Sequence, residues 1–196
     1  MKNAEKFPLD KEMIGYIENN QFKEAENWLA SRKPMGDDLY FNAYKYVSFC
    51  KTPEMFKLFS NKMEEGKAVD LLWTDTLDQH KKTLHQFAQG IGKSIEEGAD
   101  VQNLQEVVNL MLAETFKYDN HRYNLWDVLD LFNSINQEGD SIWHLIARQD
   151  NTIMVKAIFD FFAATIEKGK MSDADHLWKM MFSENKKGES FISISL

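Results

Sequence analysis

Apolar side chains recur every three or four residues along most of the chain, and alternating runs rich in Val, Ile and Thr are nearly absent. The first spacing places apolar residues on one face of a helix, whereas alternation would indicate a strand. The pattern therefore predicts an all-α protein of about ten helices with short connections. The clearest apolar faces are Phe22, Ala25, Trp28 and Leu29; Tyr40, Ala43, Tyr44 and Val47; Leu104, Val107, Val108, Met111, Leu112 and Phe116; Leu125, Val128, Leu129 and Phe132; and Val155, Ile158, Phe159, Phe162 and Ile166.

Helix boundaries follow from short polar signals. Thr52 followed by Pro53 is a favourable N-cap and first-turn pair for a helix that carries Phe56 and Phe59, and Gly66 suits its end. Farther along the chain, Ser172 and Asp175 resemble a capping box that opens a helix running through Met181.

Three segments, residues 31–38, 134–141 and 183–190, align without gaps, and each reads Ser, four residues, Gly, an acid and a polar residue. A weaker copy places Thr76 and Lys81-Lys82-Thr83 in the same frame, with Lys81 in the glycine position. The glycine positions, 36, 81, 139 and 188, are 45 to 58 residues apart. The alignment predicts one domain, residues 1–196, with capping helices at 9–32, units at 36–80, 81–138 and 139–187, and an incomplete unit at 188–196.

The sequence after the glycines resembles the ankyrin repeat family, whose pattern is D/N-x-x-G-x-T-P-L-H-x-A-A. The matching residues are Asn136, Gly139, Ser141, Trp143, His144 and Ala147, and the opening of the pattern recurs at Asn185, Gly188 and Ser190. The resemblance implies a turn or hairpin loop, an inner helix and an outer helix in each unit. No proline follows the Thr/Ser position, the copy at 83–85 is one residue short, and Phe41 replaces the histidine of the first copy.

The long spacing is accounted for by long outer helices and an extra helix per unit, at 67–74, 124–133 and 173–182. The expected fold is thus a degenerate ankyrin-like α-solenoid. A solenoid of another kind with three helices per unit fits the same pattern.

Composition and charge exclude several classes of function. Apolar residues make up 43% of the 196-residue chain and charged residues 28%, values of a globular domain rather than a disordered one. The net charge of −8 repels phosphate backbones, so nucleic acid is not an expected partner. No apolar run is long enough for membrane insertion, and the start of the chain lacks a secretory leader. The single cysteine, Cys50, suits a reducing compartment, so a cytoplasmic location is expected.

The candidate catalytic and metal-binding residues all have structural interpretations. His85 and His144 open inner helices in the ankyrin-like frame, where each is expected to hydrogen-bond the backbone of the preceding loop. His80 and His85 are too far apart around a helix to share a zinc ion. Cys50 is expected to be a buried, inert thiol.

Gly90-Ile91-Gly92 lacks both the preceding strand and the Lys-Ser/Thr ending of a phosphate loop, so it is interpreted as a helix stop. The tryptophans, Trp28, Trp73, Trp126, Trp143 and Trp178, lie mostly on apolar faces and are expected in the core. No catalytic, cofactor-binding or metal-binding residue is therefore assigned, and the chain is not expected to be an enzyme. An alternative is an enzyme whose site forms in a groove between helices from Cys50, or from His121 with Asp119.

The expected function is binding another protein, as a scaffold or adaptor. The resemblance places the contacts at loop tips, and exposed aromatics of the inner helices would add to them. The predicted partner-binding residues are Asp37, Asp38, Tyr40, Tyr44, His80, Lys81, Gln137, Glu138, Asp140, Lys186, Lys187 and Glu189.

Residues 191–196 begin a further inner helix and then stop, which leaves two interpretations open. The segment is similar to the C-terminal translocation signals of bacterial type IV effectors, which implies an effector, or its targeting domain, secreted without a leader into the cytoplasm of a host cell. Alternatively, the chain is the end segment of a longer repeat protein.

Overall fold

The computed structural model describes residues 10–31, 46–47, 49–65, 77–117, 132, 135–136, 138–167 and 175–196. These ranges contain helices and no strand, so the all-α prediction is confirmed for the part of the chain described. The helices are α1 Lys11–Glu18, α2 Phe22–Ser31, α3 Pro53–Glu65, α4 Leu77–Glu96, α5 Val101–Lys117, α6 Ile142–Arg148, α7 Thr152–Glu167, α8 Asp175–Phe182 and α9 Phe191–Ser195.

The helices pack in two rows. Helices α3, α5 and α7 contact one another in succession, and so do α4, α6 and α9. Helix α6 also packs on α7, α8 packs on α9, and α1 and α2 pair at the N-terminal side, where α2 reaches α3. Side chains from both rows share one hydrophobic cluster, which is the core described below.

Several helix starts follow the sequence signals closely. The side chain of Asp10 caps α1 by accepting hydrogen bonds from the backbone N–H groups of Glu12 and Met13. Helix α3 begins at Pro53, and the hydroxyl oxygen of Thr52 accepts a hydrogen bond of 3.4 Å from the Met55 N–H. The predicted Thr52–Pro53 start is therefore confirmed, since a polar N-cap and a proline in the first turn both favour helix initiation.

Helix α4 differs from the prediction at two places. It runs without a break through His80 and Lys81, where the sequence analysis placed a loop and a unit boundary. It also continues through Gly90-Ile91-Gly92, so the interpretation of these residues as a helix stop is wrong.

Packing explains the glycine at position 92, because a Cβ atom there would overlap the side-chain amide of Gln149 from the C-terminal end of α6. The helix instead ends beside Gly98, whose φ of +76° is the left-handed conformation typical of a helix terminus.

The core is rich in aromatic side chains. Phe132 and Phe162 meet edge to face with ring centroids 5.9 Å apart, and Trp143 makes similar contacts with Phe159 at 6.3 Å and Phe191 at 5.7 Å. The buried members of the predicted apolar faces that the structure describes are Ala25, Leu29, Val47, Phe56, Phe59, Leu104, Val107, Val108, Leu112, Phe132, Ile158 and Phe162.

The prediction that tryptophans lie in the core is correct for the fully buried Trp143, and Trp28 packs partly buried against the cluster. It is wrong for Trp178, whose side chain is 49% exposed on α8. Trp73 and Trp126 lie outside the described residues, as do Tyr40, Ala43, Tyr44, Gly66, Ser172 and the predicted helix at 67–74. The extra helix predicted at 173–182 is confirmed by α8. Of the extra helix predicted at 124–133, the structure describes only Phe132.

Candidate functional site

Two short loops with the same local structure form the candidate site. The first, called here the 136–140 loop, is described at Asn136 and 138–140, and the second is the 185–189 loop. The Asn136 N–H donates to the Asp140 carbonyl oxygen at 2.9 Å, and the Asn136 side-chain oxygen accepts from the Asp140 N–H at 2.9 Å.

The 185–189 loop repeats these bonds. The Asn185 N–H donates to the Glu189 carbonyl oxygen at 2.8 Å, and the Asn185 side-chain oxygen accepts from the Glu189 N–H at 3.0 Å and the Lys187 N–H at 2.8 Å. Asparagine suits the opening position because its side chain can replace a backbone carbonyl as acceptor within a turn.

Glycine is required in each loop. Gly139 and Gly188 have φ angles of +85° and +74°, and their N–H groups donate to the carbonyl oxygens of Asn136 and Asn185 at 3.1 and 3.0 Å. A side chain is strained in this left-handed region, so the glycines singled out by the sequence alignment have a direct conformational reason.

The two loops stack directly on each other. A Cβ atom at Gly139 would lie 3.0 Å from the backbone nitrogen of Lys186 and 2.7 Å from its Cγ atom. The same construction at Gly188 meets nothing within 4 Å. The 136–140 loop is therefore packed against the 185–189 loop, while Gly188 itself has open space around it.

Histidines of α4 and α6 join the helices to these loops. The Nε2 atom of His85 lies 3.1 Å from the Asp140 carbonyl oxygen, and that of His144 lies 2.9 Å from the Glu189 carbonyl oxygen. A carbonyl oxygen only accepts, so in both histidines Nε2 carries the donated proton. The Nδ1 atom of His144 accepts from the Ser141 N–H at 3.0 Å.

His144 opens α6 and hydrogen-bonds the backbone of the preceding residue Ser141, as predicted. His85 does not open a helix, because α4 begins at Leu77. The Nε2 bonds of both histidines were not predicted. Each Nε2 atom reaches the loop that precedes the next helix of the same row, 55 residues later in the sequence for His85 and 45 residues later for His144. The Nδ1 bond of His144 goes back to Ser141, the N-cap residue of α6. The forward bonds couple consecutive members of the α4, α6 and α9 row.

Four side chains form a charged network between the loops. Arg148, in the last turn of α6, contacts both carboxylate oxygens of Asp140, with Nη2 to Oδ1 at 3.0 Å, and also reaches Glu189 Oε2 at 2.6 Å. The side-chain amide of Asn185 donates to Asp140 Oδ1 at 2.7 Å and to Glu189 Oε2 at 2.9 Å. Acidic groups of both loops therefore share one guanidinium and one amide.

These contacts shift the ionisation of the carboxyl groups. Burial opposes the charged form of Asp140, but hydrogen bonds from Arg148 and Asn185 outweigh it and lower the pKa of the carboxyl. Hydrogen bonds from Asn185 and then Arg148 lower the pKa of Glu189, and the hydrogen bond to Asp140 raises the pKa of Arg148. The network is consequently held in its charged state at neutral pH.

Some of the predicted partner-binding residues are exposed in the structure, and others are held in the charged network. Glu138, Lys186 and Lys187 are exposed, as expected of loop tips. Asp140 is buried and held by Arg148, so its carboxylate is not presented at a tip, contrary to the prediction. Glu189 is partly exposed and takes part in the same network.

The structure does not describe the side chains of the other predicted partner-binding residues. His80 and Lys81 lie in the helical backbone of α4, with side chains outside the described residues. Asp37, Asp38, Tyr40, Tyr44 and Gln137 are also outside them.

Arg148 and the network role of Asn185 were missed by the sequence analysis. From the sequence, Asn185 was identified only as the first residue of the repeated motif that also contains Gly188 and Ser190. The signal for Arg148 was its place in the last turn of α6, where a basic residue is favoured at a helix end. No feature of the sequence near Arg148 indicates that its guanidinium contacts carboxylates of two different loops.

A separate cleft of about 330 Å³ lies beside Cys50, lined by residues that include Glu18 and Lys51 and by the Gln86 and Lys93 side of α4. The Cys50 thiol is buried, donates to the Tyr46 carbonyl oxygen at 3.5 Å, and has a pKa raised by burial. A thiol kept protonated in this way is a poor nucleophile. Within the described residues, no three His, Cys, Asp or Glu side chains are grouped to hold a metal ion; His121 and Asp119 are outside them.

No family model, curated protein or solved structure matches this chain. In the part of the chain that the structure describes, no helix combines the length and apolar character needed to cross a membrane. Within the described residues, the candidate site is the edge built by the two stacked loops, where Glu138, Lys186 and Lys187 are exposed.

Proposed function

We propose that this chain is a degenerate ankyrin-like helical repeat protein that binds another protein through the edge formed by its stacked loops. The observation that carries the proposal is the pair of loops at 136–140 and 185–189. They lie 49 residues apart in the sequence, make the same internal hydrogen bonds and are both joined to the preceding helix of one row through a histidine Nε2 atom.

The helix starts after the loops support the repeat interpretation. The Ser141 N–H donates to His144 Nδ1 at 3.0 Å, and the Ser190 N–H donates to Ser193 Oγ at 2.8 Å. In both cases the acceptor lies three residues into the next helix, so the α6 and α9 starts are equivalent. Repetition of loop, helix start and row contact is the local plan of a solenoid, in which each unit packs on its neighbours.

Such an edge suits protein recognition because the loop backbone is held in place, while the exposed side chains at the loop tips can differ in sequence without disturbing the core. The internal bonds of each loop and the Arg148 network hold the 136–140 and 185–189 loops in place. Glu138 on one tip and Lys187 on the next present opposite charges, and complementary charge on a partner favours a single register. Rigid scaffolds that carry exposed loops are a common basis for binding.

The proposed function is non-enzymatic, and the chemistry of Cys50 supports this. Its buried thiol has a raised pKa, so it lacks the thiolate character that nucleophilic catalysis requires. Rapid alkylation of Cys50 in the folded protein at neutral pH would contradict this assignment.

A charge-swap experiment tests the binding edge. The variant Glu138→Lys with Lys187→Glu exchanges two exposed charges without altering net charge. The matched control Lys57→Glu with Glu106→Lys exchanges an exposed pair, 3.3 Å apart, that joins α3 and α5 in the other row. Proteins captured from host-cell and bacterial lysates are identified, purified and titrated against all three forms by calorimetry.

We expect the tip swap to weaken binding at least about tenfold, and the control to bind as the unmodified chain does. Equal affinity of the tip swap and the control would contradict the loop-edge assignment. Failure of the unmodified chain to bind any purified candidate at about 100 μM would contradict the binding function itself.

A further inference from the structure

The cleft beside Cys50 is separate from the loop edge and has the size of a small-ligand site. Its volume is about 330 Å³, and pockets that bind small molecules range from about 300 to 1,000 Å³. It lies between the end of α1, residues 49–51 and the second half of α4. None of its described lining residues belongs to the 136–140 or 185–189 loop, so its chemistry is independent of the proposed binding edge.

One ion pair beside the cleft is already satisfied within the protein. Lys51 Nζ donates to Glu97 Oε2 at 2.8 Å, which joins the segment before α3 to the residue that follows α4. The Lys51 side chain is only 28% exposed, and its hydrogen bond lowers the pKa of Glu97. The two charges neutralise each other, so neither is the natural partner of a charged ligand.

Two other charged side chains of the cleft are better placed to meet a ligand. Lys93 Nζ lies 3.5 Å from Glu97 Oε1, longer than the roughly 2.7–2.9 Å of a charge-assisted hydrogen bond, and the Lys93 side chain is 68% exposed. Because Glu97 is bonded to Lys51, the ammonium of Lys93 can turn to another carboxylate. Glu18, the last residue of α1, is an exposed acid that lines the same cleft. The cleft thus offers one ammonium and one carboxylate group from different helices.

The remaining lining suits a peptide group and an apolar side chain. Gln86 and Gln89 are exposed on α4 and line the cleft, and each amide has both donors and an acceptor, as a peptide group has. Phe49 is partly buried and Cys50 is buried, and together they supply apolar surface. Apolar contact combined with a few polar groups that orient the ligand is the usual composition of a small-molecule site.

We propose that this cleft binds a short peptide with two free ends. The ammonium group of the peptide pairs with Glu18 and its carboxylate with Lys93. The side-chain amides of Gln86 and Gln89 bond the peptide group between these ends, and an apolar side chain of the peptide packs on Phe49. A simple anion or cation would match only one of the two charges and be repelled by the other, whereas a zwitterion matches both.

The test is calorimetric titration of the 196-residue chain with the dipeptide alanyl-phenylalanine, its N-acetylated form and its C-terminal amide. Each blocked form lacks one of the two charges. We expect the free dipeptide to bind with a Kd of about 1 mM or tighter, and each blocked form at least about tenfold more weakly. Absence of binding by the free dipeptide up to about 10 mM would overturn the proposal, and so would equal affinity of the three peptides.

Two variants assign the charges to residues. Glu18→Gln should remove the penalty for acetylation and keep the penalty for amidation, whereas Lys93→Gln should do the reverse. The control for Lys93 is Lys156→Gln, because Lys156 on α7 is 70% exposed and also pairs with an acid four residues later, Asp160. The control for Glu18 is Glu26→Gln, an exposed acid on α2. Both controls should discriminate among the three peptides as the unmodified chain does.

The four substituted side chains are exposed, and circular dichroism verifies that the variants are folded. If Glu18→Gln and Lys93→Gln weaken all three peptides equally, or if the controls change the discrimination in the same way, the assignment is wrong. The Glu138/Lys187 swap should leave dipeptide binding unchanged, which separates this inference from the proposed binding function.

Discussion

The 136–140 and 185–189 loops have the same internal structure but different surroundings. The first is held from two sides, because His85 bonds its Asp140 carbonyl oxygen and the second loop packs on Gly139. The second receives the His144 bond, but its Gly188 has open space around it and the Glu189 side chain is 40% exposed. Equivalent positions of the two loops are therefore expected to contribute unequally to stability, and the 136–140 loop should tolerate less change than the 185–189 loop.

The largest difference is expected between the two loop glycines. Gly139→Ala combines a left-handed backbone with an overlap on the Lys186 backbone nitrogen, so we expect a loss of about 3 kcal/mol in the free energy of unfolding. Gly188→Ala has the backbone penalty alone and should lose about 1 kcal/mol. Urea denaturation of both variants measures the difference, and equal losses would show that the loops are not in close contact.

The next effect concerns the two acids that Arg148 holds. Asp140→Asn removes a buried carboxylate that accepts from both Arg148 and Asn185, and we expect it to cost about 2 kcal/mol of unfolding free energy. Glu189→Gln alters an exposed member of the same network and should cost clearly less. Thermal unfolding of the two isosteric variants provides the comparison. A larger loss for Glu189→Gln would mean that the network contributes more to stability through the 185–189 loop than through the 136–140 loop.

The sequence predicted features that depend on local chemistry. The start of α3 follows from Thr52 and Pro53, whose preferences act within one helical turn. The glycines at 139 and 188 were identified from the aligned segments because a left-handed turn has a strong residue preference. The all-α class followed from apolar spacing repeated over most of the chain.

Features that depend on distant residues were not predicted. Two glycines near the middle of α4 lower its helix propensity, but the helix continues through them. The side chain of Gln149, 57 residues later in the sequence, occupies the space that a Cβ atom at Gly92 would need. Likewise, Asp140 was assigned to a loop tip, and its burial depends on Arg148 and on Asn185 from the next loop. Local pattern establishes that a loop exists, whereas the neighbour stacked on it decides which of its side chains face solvent.

The smallest expected effect is a pH dependence that separates the two loops. The pKa of Asp140 and of Glu189 is lower in the folded state than in an unfolded chain, so folding is favoured by their ionisation. This contribution is fully present above the unfolded pKa values of about 4 and is lost as the pH falls through the lower folded values. We expect the unfolding free energy, measured by urea denaturation from about pH 7 to pH 2.5, to decline on the acid side of that point.

Asp140→Asn should flatten this acid decline more than Glu189→Gln, because both carboxylates receive bonds from Arg148 and Asn185 but that of Asp140 is buried, whereas the Glu189 side chain is 40% exposed. The other ionisable groups of the chain are the same in all three proteins, so the difference between the curves isolates each carboxyl group. Parallel curves for the unmodified chain and Asp140→Asn would mean that the Asp140 carboxyl has the same pKa in the folded and the unfolded chain, which would contradict the prediction. A flattening by Asp140→Asn alone would instead show that ionisation of Asp140, and not that of Glu189, is coupled to folding.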